Sequence, residues 1–273
     1  MTAVLTPFIA PAQTGGLTVG LRQTGAFTKR SLLGRLRQPA SLAPSFVFPL
    51  FFAALSSSSF SRTTALANFP ADSFLAFSVA GAILQGVLFG STAAASDLAV
   101  DIEQGFWERM IASPVSRTSI VLGRLASSFV IGMVQSAVFL TVFRLFGVHV
   151  KSGLLGVIGI VGGGGLIGLA ISGLLSSFAI RSGSSEAVQG VFPLTFILLF
   201  LSSAFFPREY MSGWYRSVAD INPMSHIVEG LRSFIVEPAS AGAFARAWGI
   251  PLVIAAASIS LALLALQKRL RAS

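Results

Sequence analysis

Cysteine is absent from the 273-residue chain, and charge is scarce: 19 Lys or Arg and 10 Asp or Glu make up 11% of it, where soluble domains carry roughly a quarter. The first absence removes disulfides, thiolate metal sites and cysteine nucleophiles. The second argues against an ordinary soluble protein. Two histidines are too few for a typical zinc or haem site. Both of them, His149 and His226, lie outside the long apolar runs, and no Gly-x-Ser-x-Gly occurs, so a serine hydrolase would lack its base and its elbow. No Walker A pattern is present either, so the chain is not expected to hydrolyse ATP itself.

What is abundant is apolar surface. Hydrophobic residues make up 53% of the sequence and mean hydropathy is +0.80, more than a soluble core of this length can hide. The net charge of +9 suits anionic lipid headgroups better than nucleic acid, which would need a basic face on a soluble scaffold. Six stretches between consecutive charges, Arg37 to Arg62, Asp72 to Asp97, Arg124 to Arg144, Lys151 to Arg181, Glu186 to Arg208 and Arg246 to Lys268, are each near or above the roughly 20 residues that cross a bilayer. The expected spans are about 42–61, 73–96, 120–143, 153–180, 187–205 and 247–267. Residues 1–16, with Pro7, Pro11, Gly15 and Gly16 but no basic n-region, are expected to be a flexible cytoplasmic tail and not a signal peptide. Residues 268–273 form a basic tail at the other end.

Basic residues resist translocation, so their distribution sets orientation. Six spans place both termini on one side, with Arg22, Lys29, Arg30, Arg35, Arg37, Arg109, Arg117, Arg124, Arg181, Lys268, Arg269 and Arg271, twelve of the 19. That side is expected to be the cytoplasm. Residues 17–37, which mix Leu21, Leu32, Leu33 and Leu36 with five of these cations, are expected to form an interfacial amphipathic helix, or else a plain positive flank. The expected fold class is an all-α membrane protein.

The spans hold no ionisable group, which argues against proton or sodium coupling and for an apolar route. In the fourth, Gly159 with Gly163 and Gly164 with Gly168 share helix faces, so another helix is expected to approach closely there. A phosphate-cradling loop is the sharper alternative for that glycine run, but no Lys-Ser or Lys-Thr follows it. Asp97, Asp101 and Glu103 resemble part of the acidic magnesium site of intramembrane lipid or prenyl transferases, which makes such an enzyme the alternative function. A divalent ion needs more oxygen ligands than one helix turn supplies, and a second acidic motif is missing.

Two segments outside the spans stand out. In residues 97–119, Ile102, Phe106 and Met110 recur at helical spacing beside Trp107 and Ile111, while Asp97, Asp101 and Glu108 line another side. Ser113-Pro114 should stop that helix, and Ser116 or Thr118 can cap the next. A mixed apolar and charged helix at the membrane face suits either docking into a partner's groove or simple solvation. Residues 206–236 are unusually apolar for a link. Met211, Trp214, Tyr215 and Val218 suggest one short helix, Asn222-Pro223 a turn, and Ile227, Leu231 and Ile235 a second helix. Such a pair can dip into the outer leaflet or act only as an aromatic anchor.

On these residues the chain, from about Gly20 onward, resembles the membrane subunits of type-2 ATP-binding-cassette exporters, especially the daunorubicin-resistance permease group. The resemblance lies in the interfacial segment, the six spans, the run Glu103, Gly105, Glu108, Arg109, Ser113 to Arg117, Gly123 and Arg124, and Asn222 to Ser225 before the last span. It implies a cytoplasmic coupling helix on a separate ATPase subunit, with Glu103, Gly105, Phe106, Trp107, Glu108, Arg109, Pro114, Arg117 and Arg124 as candidate coupling residues. It also implies an external re-entrant hairpin over the pathway, with Phe206, Pro207, Tyr210, Trp214, Asn222 and Pro223 as candidates. Two permease copies, as homodimer or heterodimer, and two ATPases form the usual complex. ATP and magnesium belong to the ATPase, and this chain is expected to bind no cofactor. The implied location is a bacterial inner membrane, and the implied cargo a hydrophobic drug or lipid.

The basic bias gives a direct test. Single cysteines at positions 64, 149 and 240 should react with an impermeant reagent from outside the cell, while one in the link around Gly183 should react only after permeabilisation. The reverse labelling pattern would overturn the topology.

Overall fold

The computed structural model describes residues 16–66 and 69–272, and among these every regular element is helical. The tail expected over 1–16 lies, except for Gly16, outside the described residues. The helices are α1 (Leu17–Leu36), α2 (Pro39–Ser59), α3 (Phe74–Glu103), α4 (Phe106–Ala112), α5 (Arg117–Leu145), α6 (Gly153–Ser182), α7 (Ser185–Phe200), α8 (Gly213–Ile221) and α9 (Pro223–Val236). A last helical run joins α10 (Ala241–Phe244), a π-helical turn (Ala245–Gly249) and α11 (Ile250–Ala272). Local sequence sets these ends. Ser73, Ser184 and Ser240 accept hydrogen bonds from Ala76, Ala187 and Ala243 at their N-caps, Pro39 opens α2, and Gly183 closes α6 with φ +63°.

Five of these runs are long and apolar enough to cross a membrane: Pro39–Ser59, Phe74–Glu103, Arg117–Leu145, Gly153–Ser182 and Ala241–Arg271. The interval expected to hold the fifth span, 187–205, folds as the 16-residue α7, which contains Pro193 and ends at Phe200. At 1.5 Å per residue it reaches about 24 Å, short of the roughly 30 Å hydrocarbon core. Other boundaries shift because charge marks where lipid ends, not where a helix ends. Thus α3 continues past Asp97 to Glu103, into the segment expected to start at 97, and stops only at Gly105, whose φ of +67° a residue with a side chain adopts poorly.

The long α3 is the central post. It is buried on nearly all sides by α2, α5, α6, α7 and α9. Two apolar cores result. One, at the end where α8 and α9 lie, gathers Ile83, Val87, Phe139, Ile160, Leu231 and Phe234. The other, at the α4 end, gathers Leu98, Ile102, Trp107, Ile180, Val188 and Leu266. Around the post, α6 fits by lacking side chains. A Cβ at Gly168 would stand 2.6 Å from the Ser128 carbonyl oxygen, and one at Gly164 would meet the Ser136 side chain. On its other face Gly159 accepts the Phe234 ring and Gly163 the Leu231 side chain. Between α5 and α6, the hydroxyls of Ser128 and Ser172 lie 2.9 Å apart.

Replacing Gly168 or Gly164 by Leu should therefore destabilise the fold by about 1–3 kcal/mol or more through overpacking. Leu154→Ile, on a side chain 75% exposed, should stay within about 0.5 kcal/mol. Thermal unfolding of the purified variants checks this ranking, and equal midpoints would remove the packing argument.

Candidate functional site

At one end of the bundle, Gln104 and Gly105 turn the chain from α3 into α4, and Ser113-Pro114 separate α4 from α5. Ser116 takes the N-cap position of α5, yet its hydroxyl pairs with Thr118 at 2.7 Å and makes no cap bond. Helix α1 lies along this start of α5. The Gln23 side-chain oxygen accepts from the Ser116 N–H at 2.9 Å, and the Ser119 hydroxyl donates to the Gly20 carbonyl at 3.2 Å. Gly123 permits the contact, since a Cβ there would stand 2.9 Å from the Thr24 oxygen. The segregation expected of an amphipathic α1 is weak. Leu17, Leu21, Leu33 and Leu36 are all exposed, and no residue of this helix is fully buried.

The candidate coupling residues divide. Trp107 is fully buried in the apolar core, with its indole N–H unpartnered, so it anchors α4 and does not belong to an outward docking face as the sequence reading had it. Glu103 is exposed and tied to the start of α7, accepting from the Ser185 N–H at 2.6 Å and from its hydroxyl. Arg124 pairs with Asp101. Glu108 and Arg109 are exposed, with Glu108 3.2 Å from Arg269. Phe106 is half-buried beneath the guanidinium groups of Arg30, at 4.7 Å, and Arg109, at 5.7 Å. Pro114 is exposed and Arg117 half-buried. Among the candidates Glu103, Glu108, Arg109 and Pro114 are thus exposed, while Phe106, packed against the apolar core, and Arg117 are half-buried. Arg35, on α1, faces the charge of Asp97; burial pulls its pKa down to about 10 against that opposing influence, which leaves it cationic at neutral pH.

At the opposite end α8 and α9 form a helical hairpin seated on α7. Asn222 holds it: its side-chain oxygen accepts from the Met224 N–H at 2.9 Å, and its amide donates to the carbonyls of Leu198 and Leu201 at 2.7 and 3.0 Å. Tyr215 adds a bond from its hydroxyl to the Phe200 carbonyl at 2.8 Å. Oxygens left open at the C-terminus of α7 are thereby satisfied from the next element. Pro223 starts α9 and Pro207 is buried, whereas Phe206, Tyr210 and Trp214 are exposed. Phe206 packs on Phe60 at 5.7 Å and Tyr210 on Phe69 at 6.5 Å. Arg208 bridges Glu229 and Asp220, and its bond to Glu229 raises its pKa above the ordinary arginine value.

Sequence reasoning gave no role to Arg232. This buried guanidinium lies 3.7 Å from the Phe77 ring centre and donates to the carbonyls of Phe77 and Ser203 at 3.3 and 2.8 Å. Its signal was available: it is a lone cation among the buried positions Val228, Leu231, Phe234 and Ile235 of α9. Gln135, which bonds the Ser45 hydroxyl and the Gly86 carbonyl between spans, gave no such signal. The magnesium alternative gains nothing from the geometry. Among the described residues no three acids or histidines gather as a metal site, and Asp101 pairs with Arg124 while Asp97 faces Arg35 and Arg124.

A family described as ABC-2 type transporter matches residues 22–236, from within α1 to the end of α9. The chain belongs to the ABC-2 type transporter family. It is 26% identical over 190 residues to the daunorubicin resistance ABC transporter permease protein DrrB1 of Streptomyces coeruleorubidus, covering 69% of this chain and 65% of that protein. It is 27% identical over 215 residues to the putative transport permease ycf38 of Pyropia yezoensis, covering 78% and 73%. The probable doxorubicin resistance ABC transporter permease protein DrrC of Mycobacterium tuberculosis is 24% identical over 151 residues, 55% of each chain. The first alignment thus spans just under two thirds of its relative. These relatives are transport permeases, and this ABC-2 chain is a multi-pass membrane protein.

In this chain, Asn222→Ala should cost about 0.5–2 kcal/mol through the lost cap, lowering the melting midpoint by a few degrees. Asn222→Asp keeps the acceptor for Met224 but aims a carboxylate at two carbonyls, so it should do no better. Full rescue by aspartate would show that the bonds to α7 contribute nothing.

Proposed function

We propose that this chain is the transmembrane permease subunit of an ATP-driven exporter that moves hydrophobic or amphipathic compounds, drug-like or lipid-like, out of the cell. A separate ATPase, in two copies, supplies the energy and holds ATP and magnesium. Two permease copies, alike or different, frame the pathway in a bacterial inner membrane, with both termini cytoplasmic. In this arrangement α7 and the turn after it complete the fifth of six spans, which the α8–α9 hairpin covers from outside. The observation that carries the reading is the family match across 215 residues, residues 22–236, in a chain without a Walker A pattern.

An aromatic wall along α2, α3 and α7 supports the choice of cargo. Phe89 stacks on Phe196 at 5.4 Å and packs on Phe192 at 5.2 Å, Phe48 lies 5.5 Å from Phe89, and Phe200 lies 4.7 Å from Phe205. Beside it opens a cavity of about 380 Å³ lined by Pro44, Phe48, Phe89, Thr92, Gln189 and Phe192. Stacked phenyl rings favour a planar apolar body, and offset or edge contacts add about 0.5–1.5 kcal/mol each. Two of the relatives carry names of daunorubicin and doxorubicin resistance.

Coupling follows from α4. Its exposed charges and half-buried Phe106 offer a surface to the ATPase, while the buried Trp107 transmits displacement of α4 to the core. ATP binding closes the two ATPases and rocks the permease copies through these helices, which requires a difference in free energy between two permease states.

Reconstitution with the ATPase tests this. Phe106→Asp and Glu108→Lys should reduce ATPase binding and substrate-stimulated hydrolysis at least tenfold, while membrane insertion survives because the site lies outside the hydrocarbon. Restoring the internal pair with Glu108→Lys and Arg269→Glu together should leave coupling impaired; full recovery would reduce Glu108 to an internal role. Transport by the chain without any ATPase would overturn the proposal.

A further inference from the structure

Between α1, the α4 end of α3 and the start of α5 lies a polar cavity of about 480 Å³ that the export reading does not use. Three guanidinium groups, Arg30, Arg35 and Arg124, line it together with two carboxylates, Asp97 and Asp101, leaving one positive charge in excess. The arginines are unequally satisfied. Arg124 is paired with Asp101. The Arg35 guanidinium feels the charge of Asp97 but has no side-chain hydrogen bond among the described residues, where the Arg30 guanidinium meets the Met110 sulfur at 3.3 Å and the Phe106 ring. A guanidinium carries five N–H donors in a planar fork suited to phosphate oxygens, so two arginines here hold unused capacity for an anion.

The position of the cavity selects among anions. Arg37 and Gln38 lead directly from α1 into the membrane helix α2, which puts the cavity at headgroup level. On the other side of α1 a second opening is lined by Lys29, Leu33 and Arg37, and it shares Arg30 and Gly34 with the first. Gly34 borders both openings, and a side chain there would project into open space, since nothing lies within 4 Å of where its Cβ would be. The exposed Leu33 and Leu36 supply apolar surface beside that opening. Phosphate-binding guanidinium groups inside and leucines at the rim match a molecule that is anionic at one point and greasy beyond it.

We propose that this cavity binds the phosphodiester group of a monoanionic phospholipid, with Arg30 and Arg35 as its donors. Asp97 and Asp101 limit the site to a single negative charge and disfavour dianions. The site adjoins Phe106, over which Arg30 lies, but filling it needs neither the cargo nor the ATPase.

The test uses the full chain purified in a neutral detergent and exposed to phosphatidylglycerol, phosphatidylcholine or inorganic phosphate, with bound lipid counted by native mass spectrometry. Wild type should retain one phosphatidylglycerol in at least tenfold preference to phosphatidylcholine. Arg35→Gln and Arg30→Gln should lower that retention about tenfold or more, Arg35→Lys should lower it less, and Gly34→Leu should lower it without altering charge. Asp97→Asn should raise it severalfold, a change of sign that a merely structural ion cluster would not produce. Equal retention of the two lipids, unchanged binding in Gly34→Leu, or weaker binding in Asp97→Asn would each overturn the proposal. Competition by millimolar inorganic phosphate as effective as that by phosphatidylglycerol would overturn the lipid source.

Discussion

Lipid tails are as apolar as leucine, so moving one apolar helix against another in a bilayer gains little from the hydrophobic effect. Cohesion must come from close contact and from polar groups satisfied inside the protein. In this protein α6 provides the first: Gly164 and Gly168 bring its backbone onto α5, while Gly159 and Gly163 receive the hairpin helix α9. The second is spread thinly. The Ser128–Ser172 pair and the bonds of Gln135 each join neighbouring spans without placing a charge in the hydrocarbon. With α3 enclosed by all of these, the bundle has a rigid centre from which both ends are hung.

The two ends are hung differently. At the hairpin end, polar bonds to backbone carbonyls dominate: Asn222 and Tyr215 close the exposed terminus of α7, and Arg232 fastens α9 to the carbonyls of Phe77 and Ser203. Such bonds are directional, so the hairpin has one seat. At the α4 end, the anchor is the buried Trp107 and the ties are ion pairs between helices, Arg124 with Asp101 and Glu108 with Arg269. The more exposed of the two, Glu108 with Arg269, contributes about 1 kcal/mol or less. That end is therefore held in shape by packing, while its exposed rim can exchange partners at small cost.

Much of the architecture was legible in the sequence because the bilayer imposes it. Charges sit where lipid stops, so the spacing from Arg37 to Arg62 or from Lys151 to Arg181 marks spanning helices, and the absence of water inside lipid makes them helical. The glycine faces and the turns at Ser113-Pro114 and Asn222-Pro223 were legible for the same local reasons. Helix ends were less so. Asp97, Asp101 and Glu103 announce the membrane surface, yet helix formation continues through them to Gly105, since a charged side chain in water is no obstacle to a helical backbone.

What only the tertiary structure decided is which side chains face out and which are spent within the chain. Trp107 and Glu108 are neighbours in sequence, and nothing in their spacing says that one fills a core lined by Ile180 and Leu266 while the other meets Arg269. Likewise Arg35, Asp97 and Arg124 come from three segments, and their shared cavity exists only once α1 docks on α5 through Gly123. The sequence by itself determined where the chain enters lipid and that it must be helical there, because those follow from the transfer of each residue between water and hydrocarbon. The partners of its few polar groups were left to the tertiary structure, because they depend on contacts between residues far apart in the chain.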